Sequence, residues 1–153
     1  MDLIAGVVFK KLRVIPDDRG YLMECLRSDD EAFGGFGQAY ISAVYQDVVK
    51  AWHLHREQTD FVVCVHGMIK LALFDDRGSS PTKGRVNEFV IGEQQPALVK
   101  IPKGIYHGWM GLTPGLSLVL NCPDRVYDYA QPDEHRLPAH TPDIPYDWRR
   151  QDH

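Results

Sequence analysis

Short apolar or alternating runs recur along the chain, each about as long as a strand: residues 4–9, 39–45, 60–65, 68–74, 88–91, 97–101 and 116–121. They are rich in Val, Ile, Phe and Tyr, side chains that fit a pleated, half-buried surface. Turn-forming groups separate them, among them Asp18-Arg19-Gly20, Gly34-Gly35, His66-Gly67, Gly78-Ser79-Ser80-Pro81, Pro102-Lys103-Gly104 and Thr113-Pro114-Gly115. No long stretch keeps the apolar period of an amphipathic helix. One short helix is expected over residues 28–33, with Ser28 as cap and Asp29, Asp30 and Glu31 at the positive end of its dipole. From about Pro123 the pattern changes: this stretch holds five of the ten prolines and many charges, and reads as an extended Pro-rich tail laid over the body as a lid. The expectation is an all-β, double-sheet jelly-roll barrel, one domain over residues 1–153.

A chain of 153 residues is long enough for one domain with a sizeable core. Its net charge of −4 gives no long-range attraction to a nucleic acid backbone, which argues against that class of partner. No segment approaches the roughly 20 apolar residues that cross a bilayer, and the start MDLIAGVVFKK lacks the pattern of a secretory leader. A cytoplasmic protein without a membrane partner is expected. Cys25, Cys64 and Cys122 are odd in number and show no C-x-x-C spacing, so no disulfide framework is read. Cys64, inside Phe61-Val62-Val63-Cys64-Val65, reads as a small buried hydrophobe.

The chemistry concentrates between residues 50 and 67. His53 and His55 are two apart and share one face of a strand. Asp60 opens the next strand, where its carboxylate would reach an imidazole. H-x-H, a carboxylate five residues on and Gly67 beyond resemble the first cupin motif, with Asp60 in the usual glutamate's place. Pro102-Lys103-Gly104-Ile105-Tyr106-His107 resembles the second, P-x-G-x-x-H, although Gly108 stands where an asparagine often follows. His66, His135, His140 and His153 belong to no such pattern and read as surface residues.

Five further stretches resemble the dTDP-4-dehydrorhamnose 3,5-epimerases, a cupin-type family. They are Asp18 to Glu24 (D-x-R-G-x-x-x-E, with the aspartate one place off), Gln38-Ala39-Tyr40-Ile41-Ser42 (Q-x-N-x-S, with Tyr40 for asparagine), Lys50-Ala51-Trp52-His53 (R-G-L-H), Asp76 to Gly84 (D-x-R-x-x-S-P-T-x-G) and Ile101 to Trp109 (I-P-x-G-x-x-H-G-F). Glu134 and Asp147-Trp148 also match. The resemblance implies a general base at His53, which takes a proton from the carbon beside the C4 ketone of a nucleotide-linked 4-keto-6-deoxy sugar. It implies sugar or diphosphate binding by Arg19, Glu24, Gln38, Lys50, His55 and His107, and a homodimer whose N-terminal strands cross to the partner. The family's enolate-holding lysine aligns with Asp60 and its tyrosine acid with Asn121. Tyr127 and Tyr129 lie nearby as alternative acids. The family's longer C-terminal extension, which can carry an aspartate supporting the base, is absent.

Three readings follow. In the first, the chain is a cofactor-free epimerase or isomerase of cell-surface polysaccharide or deoxysugar synthesis, with His53, Asp60, Asn121 and Tyr129 at the reacting centre and Asp60 orienting His53. In the second, His53, His55, Asp60 and His107 hold one Fe, Mn, Ni or Zn ion. In the third, the pocket binds a sugar nucleotide without chemistry.

Overall fold

In a computed structural model, which describes residues 2–150, six of the seven expected strands form with small changes at their ends, while the first, expected over 4–9, forms over 8–11. Twelve strands run in order: β1 (Val8–Lys11), β2 (Val14–Asp17), β3 (Gly20–Met23), β4 (Tyr40–Tyr45), β5 (Val49–Leu54), β6 (Asp60–His66), β7 (Met68–Asp75), β8 (Val86–Gly92), β9 (Ala97–Ile101), β10 (Ile105–Gly111), β11 (Leu116–Asn121) and β12 (His135–Arg136). Two five-stranded sheets carry the body, ordered β1-β9-β6-β11-β4 and β12-β5-β10-β7-β8, and β2 and β3 make a separate hairpin. All pairings between these strands are antiparallel. No described residue is in a helix. His153 lies outside the described residues.

The period-2 alternation of each strand decides what fills the space between the sheets. Val62, Cys64, Val99, Ile101 and Val119 of the first sheet pack against Ile69, Leu71, Leu73, Phe89, Ile91, Ile105 and Trp109 of the second. The intervening residues of the same strands are also covered. Ala72 and Phe74 on β7 point outward onto a second cluster that includes Ile144 and Trp148. Phe61 and Val63 on β6 point outward onto a third, covered by Leu12, Met23, Cys25 and Leu26. Strands buried on both faces read as unbroken apolar runs, as 61–65 and 71–74 do.

Two expectations are corrected. Residues 28–33 form turns, with Asp30 N–H donating to the Arg27 carbonyl and Phe33 N–H to that of Asp30. The acidic side chains meant to favour a helix are engaged elsewhere: Asp29 by Arg27 and Asp30 by Lys10 and the Arg27 N–H. Local bonds of this kind compete with helix formation, and Gly34-Gly35 follows at once. The C-terminal segment is more than a lid. It adds β12 to the second sheet, and its Trp148 is buried against Trp52 (ring centroids 5.0 Å) with the indole N–H on the Ala139 carbonyl. Burial of this kind is worth about 3–5 kcal/mol on truncation to Ala.

The stretch 76–84 proves structural. The buried Asp75 carboxylate accepts from Arg77, Ser80 and Thr82, while Arg77 and Thr82 also hold the backbone of Ala5. Those three partners hold Asp75 far below the usual carboxylate range against the cost of burial.

Candidate active site

A cleft of about 830 Å³ opens between the sheets. Gln38, Tyr40 and Ser42 line it from β4 and the residues just before; Lys50, His53 and His55 from β5 and its end; His107 and Trp109 from β10; and Tyr127, Tyr129, Glu134 and Arg136 from the C-terminal segment. Gln38, Tyr40 and Ser42 share a face because they alternate.

Lys50 and His53 are three apart, and on a regular strand would face opposite ways. The β5–β10 register removes the conflict. His53 stands opposite His107 and Lys50 opposite Trp109, so three steps on β5 match two on β10. This bulge turns both side chains into the cleft. Gly108 sits between the two pairs, and a Cβ there would come within 2.2 Å of the Ala51 Cβ and 2.7 Å of the Lys50 carbonyl oxygen. The glycine that displaces the asparagine of the second motif is what admits the bulged strand.

His53 Nδ1 lies 3.0 Å from a Glu134 carboxylate oxygen, which also accepts from Arg136 at 2.7 Å. The charged carboxylate fixes His53 as the Nδ1–H tautomer and leaves Nε2 with a lone pair. Burial lowers the His53 pKa below its ordinary value, and the Glu134 bond works against that shift. Glu134 is itself held below the usual range by Arg136 and His53, against its own burial. The orienting carboxylate is therefore Glu134, not Asp60.

Asp60 serves a different group. One of its oxygens accepts from Gln58 (2.7 Å) and Asn121 (2.8 Å). The other faces His107 Nε2 at 3.4 Å and His55 Nε2 at 3.6 Å. Both rings give their Nδ1–H to backbone carbonyls, His55 to Asp133 and His107 to Ile105. Neither Nε2 makes a hydrogen bond to Asp60 at these distances, and both histidines line the cleft. A carboxylate oxygen facing two lone pairs needs positive charge between them, either a ring proton or a cation. The three facing atoms lie within 4.8 Å of one another and suit Fe, Mn, Ni or Zn, with both rings and the carboxylate already oriented from behind. His53, turned to Glu134, does not join them, so the four-residue set expected from sequence reduces to three. Burial pushes the His107 pKa down, and Asp60 opposes this.

Asn121 is buried and fully used. Its carbonyl accepts the Phe61 N–H, and its amide donates to Asp60 and to the Tyr40 hydroxyl oxygen at 2.9 Å. It is a positioning residue, and the catalytic place expected for it is withdrawn because an amide held on three sides has no proton to give. Tyr129 lines the cleft but is 90% exposed. Gln38 and Lys50 are in the cleft as expected, Lys50 resting on Ser42. Arg19 and Glu24 are not: within this chain they pair on the surface with Asp17 and Arg27. Sequence reasoning overlooked Tyr40, Trp109 and Arg136. Trp109 is the residue whose buried N–H has no acceptor among the described residues.

A family described as dTDP-4-dehydrorhamnose 3,5-epimerase matches residues 2–153. The chain is 42% identical over 155 residues to the probable low-salt glycan biosynthesis epimerase Agl13 of Haloferax volcanii, covering 100% of this chain and 99% of that one. It is 37% identical over 146 residues to the spore coat polysaccharide biosynthesis protein SpsL of Bacillus subtilis, covering 95% and 97%. Among solved structures, a dTDP sugar isomerase from Desulfovibrio desulfuricans aligns with a TM-score of 0.91 and 32% identity, covering 99% and 98% of the two chains.

Proposed function

We propose that this chain, which belongs to the dTDP-4-dehydrorhamnose 3,5-epimerase family, epimerises a nucleotide-linked 4-keto sugar used in polysaccharide synthesis. The observation that carries the reading is the His53–Glu134 pair on the cleft wall. The free Nε2 takes the proton beside the ketone, which the carbonyl has acidified. Glu134 holds the ring in the required tautomer and stabilises the imidazolium that forms. Burial keeps His53 neutral to lower pH than usual, so it is ready as a base near pH 7. Lys50 and Arg136 supply the positive charge that an enolate oxygen or diphosphate needs. Arg19 and Glu24 meet a cleft only if the β2–β3 hairpin crosses to a second copy, and a homodimer is part of the proposal. So is a cytoplasmic site of action, where Cys25, Cys64 and Cys122 stay reduced.

One test is proton exchange. In heavy water, a dTDP-linked 4-keto-6-deoxyhexose should gain deuterium beside the ketone, and His53→Asn should stop this while dTDP still binds. Tight binding of the sugar by the unaltered protein with no exchange would defeat the reading and leave a binding protein.

The His55, Asp60 and His107 cluster favours a second reading, in which these residues hold a divalent ion beside the cleft. Such an ion would act as a Lewis acid on the keto oxygen.

A further inference from the structure

Inverting a carbon beside a ketone needs a proton delivered to the face opposite the one that lost it. His53 projects from β5 in one sheet, so the donor belongs on the other wall, which β4 provides. Three phenols line the cleft: Tyr40, Tyr127 and Tyr129. Tyr127 and Tyr129 lie on no strand; they follow β11 in the irregular C-terminal segment, and among the described residues nothing hydrogen-bonds to either phenol oxygen. Tyr40 is on the strand and stands directly opposite Asn121 in the β4–β11 register.

Asn121 settles how the Tyr40 hydroxyl is used. Because its own oxygen accepts the Phe61 N–H, the amide nitrogen must be the atom facing Tyr40, and the phenol oxygen accepts that bond. The phenol hydrogen therefore points elsewhere, and among the described residues it has no acceptor. We infer that Tyr40 is the acid of this site, delivering its proton to the substrate carbon on the face opposite His53. The inference rests on the epimerase reading.

The step balances. His53 Nε2 takes the proton, the C–H pair becomes the enolate double bond, and the carbonyl pair moves to oxygen. The enolate then reforms the ketone as its carbon takes the phenol proton, leaving tyrosinate and imidazolium. The Asn121 amide steadies the tyrosinate, and the two residues recover through solvent in the open cleft. Burial, then the charge of Asp60, raise the Tyr40 pKa and keep the phenol protonated until an enolate calls for it.

Tyr40→Phe separates the two proton transfers. With a dTDP-linked 4-keto-6-deoxyhexose in heavy water, deuterium should still enter beside the ketone at close to the unaltered rate. Net formation of the inverted sugar should fall by at least about 100-fold. Retained exchange also shows that the variant is folded and its base intact. Tyr127→Phe and Tyr129→Phe should leave the ratio of exchange to net inversion as it is in the unaltered protein. Loss of both rates in Tyr40→Phe, loss of neither, or the same split in Tyr127→Phe or Tyr129→Phe overturns the assignment of Tyr40 alone. No exchange by the unaltered protein overturns the epimerase reading, and this inference with it.

Discussion

Replacing Glu134 by Gln keeps the side chain's shape and removes its charge. A hydrogen bond to a charged partner contributes about 1.5–3 kcal/mol, against about 0.5–1.5 for a neutral one. The His53 and Glu134 side chains keep 26% and 19% of their exposure, so solvent screens part of the difference. About 1–1.5 kcal/mol remains, a slowing of proton abstraction by about tenfold. The pH profile carries a second signature. The Glu134 bond and charge raise the His53 pKa against burial, whereas Arg136 lowers it. Removing the carboxylate leaves burial and Arg136 unopposed, so the His53 pKa falls further. The acid limb of kcat/KM for α-deuterium exchange should thus move to lower pH while the plateau drops. Asp60→Asn should leave that limb in place, because Asp60 faces His55 and His107. A limb that moves upward in Glu134→Gln, or an unchanged plateau, would refute the pairing; so would Asp60→Asn reproducing both effects.

Gly108→Ala should lower kcat more than about tenfold, because the added Cβ collides with backbone of the bulged strand and shifts Lys50 against His53; a crystal structure with β5 unmoved and full activity would contradict this. Metal analysis of protein purified without chelator should show about one Fe, Mn, Ni or Zn per chain if the second reading holds, and His55→Ala should remove it; metal-free protein with full activity eliminates that reading. Light scattering should give twice the 17.4 kDa chain mass, since Val14, Ile15, Tyr21 and Leu22 of the hairpin and Ile41 and Tyr45 of β4 are exposed; a stable monomer at micromolar concentration would count against a crossing hairpin.

Runs such as 97–101 and 116–121 were legible as strands because composition, period and turn residues agreed. The helix at 28–33 was misread because its cap and acidic residues also suit turns once Lys10 arrives from β1. Tail prolines hid the part played by Ile144 and Trp148, which depends on Trp52 and Phe74 being far away in sequence and adjacent in space. At the site, His53 and Lys50 were legible as a motif, but their common direction depends on a bulge that spacing alone denies. Glu134 matched a family position, yet its bond to His53 spans 81 residues and no local pattern announces it. Asp60 was assigned to the wrong histidine because proximity in sequence stood in for direction.

The base and its carboxylate are also separated in time. A ribosome delivers β5 long before Glu134, and the aromatic cluster that seats the final segment is complete only with Trp148. A nascent chain can pair most of its strands while its imidazole still lacks the group that sets its tautomer. Under the proposed mechanism, the base therefore reaches its full strength only once the last segment has docked on β5 and Trp52.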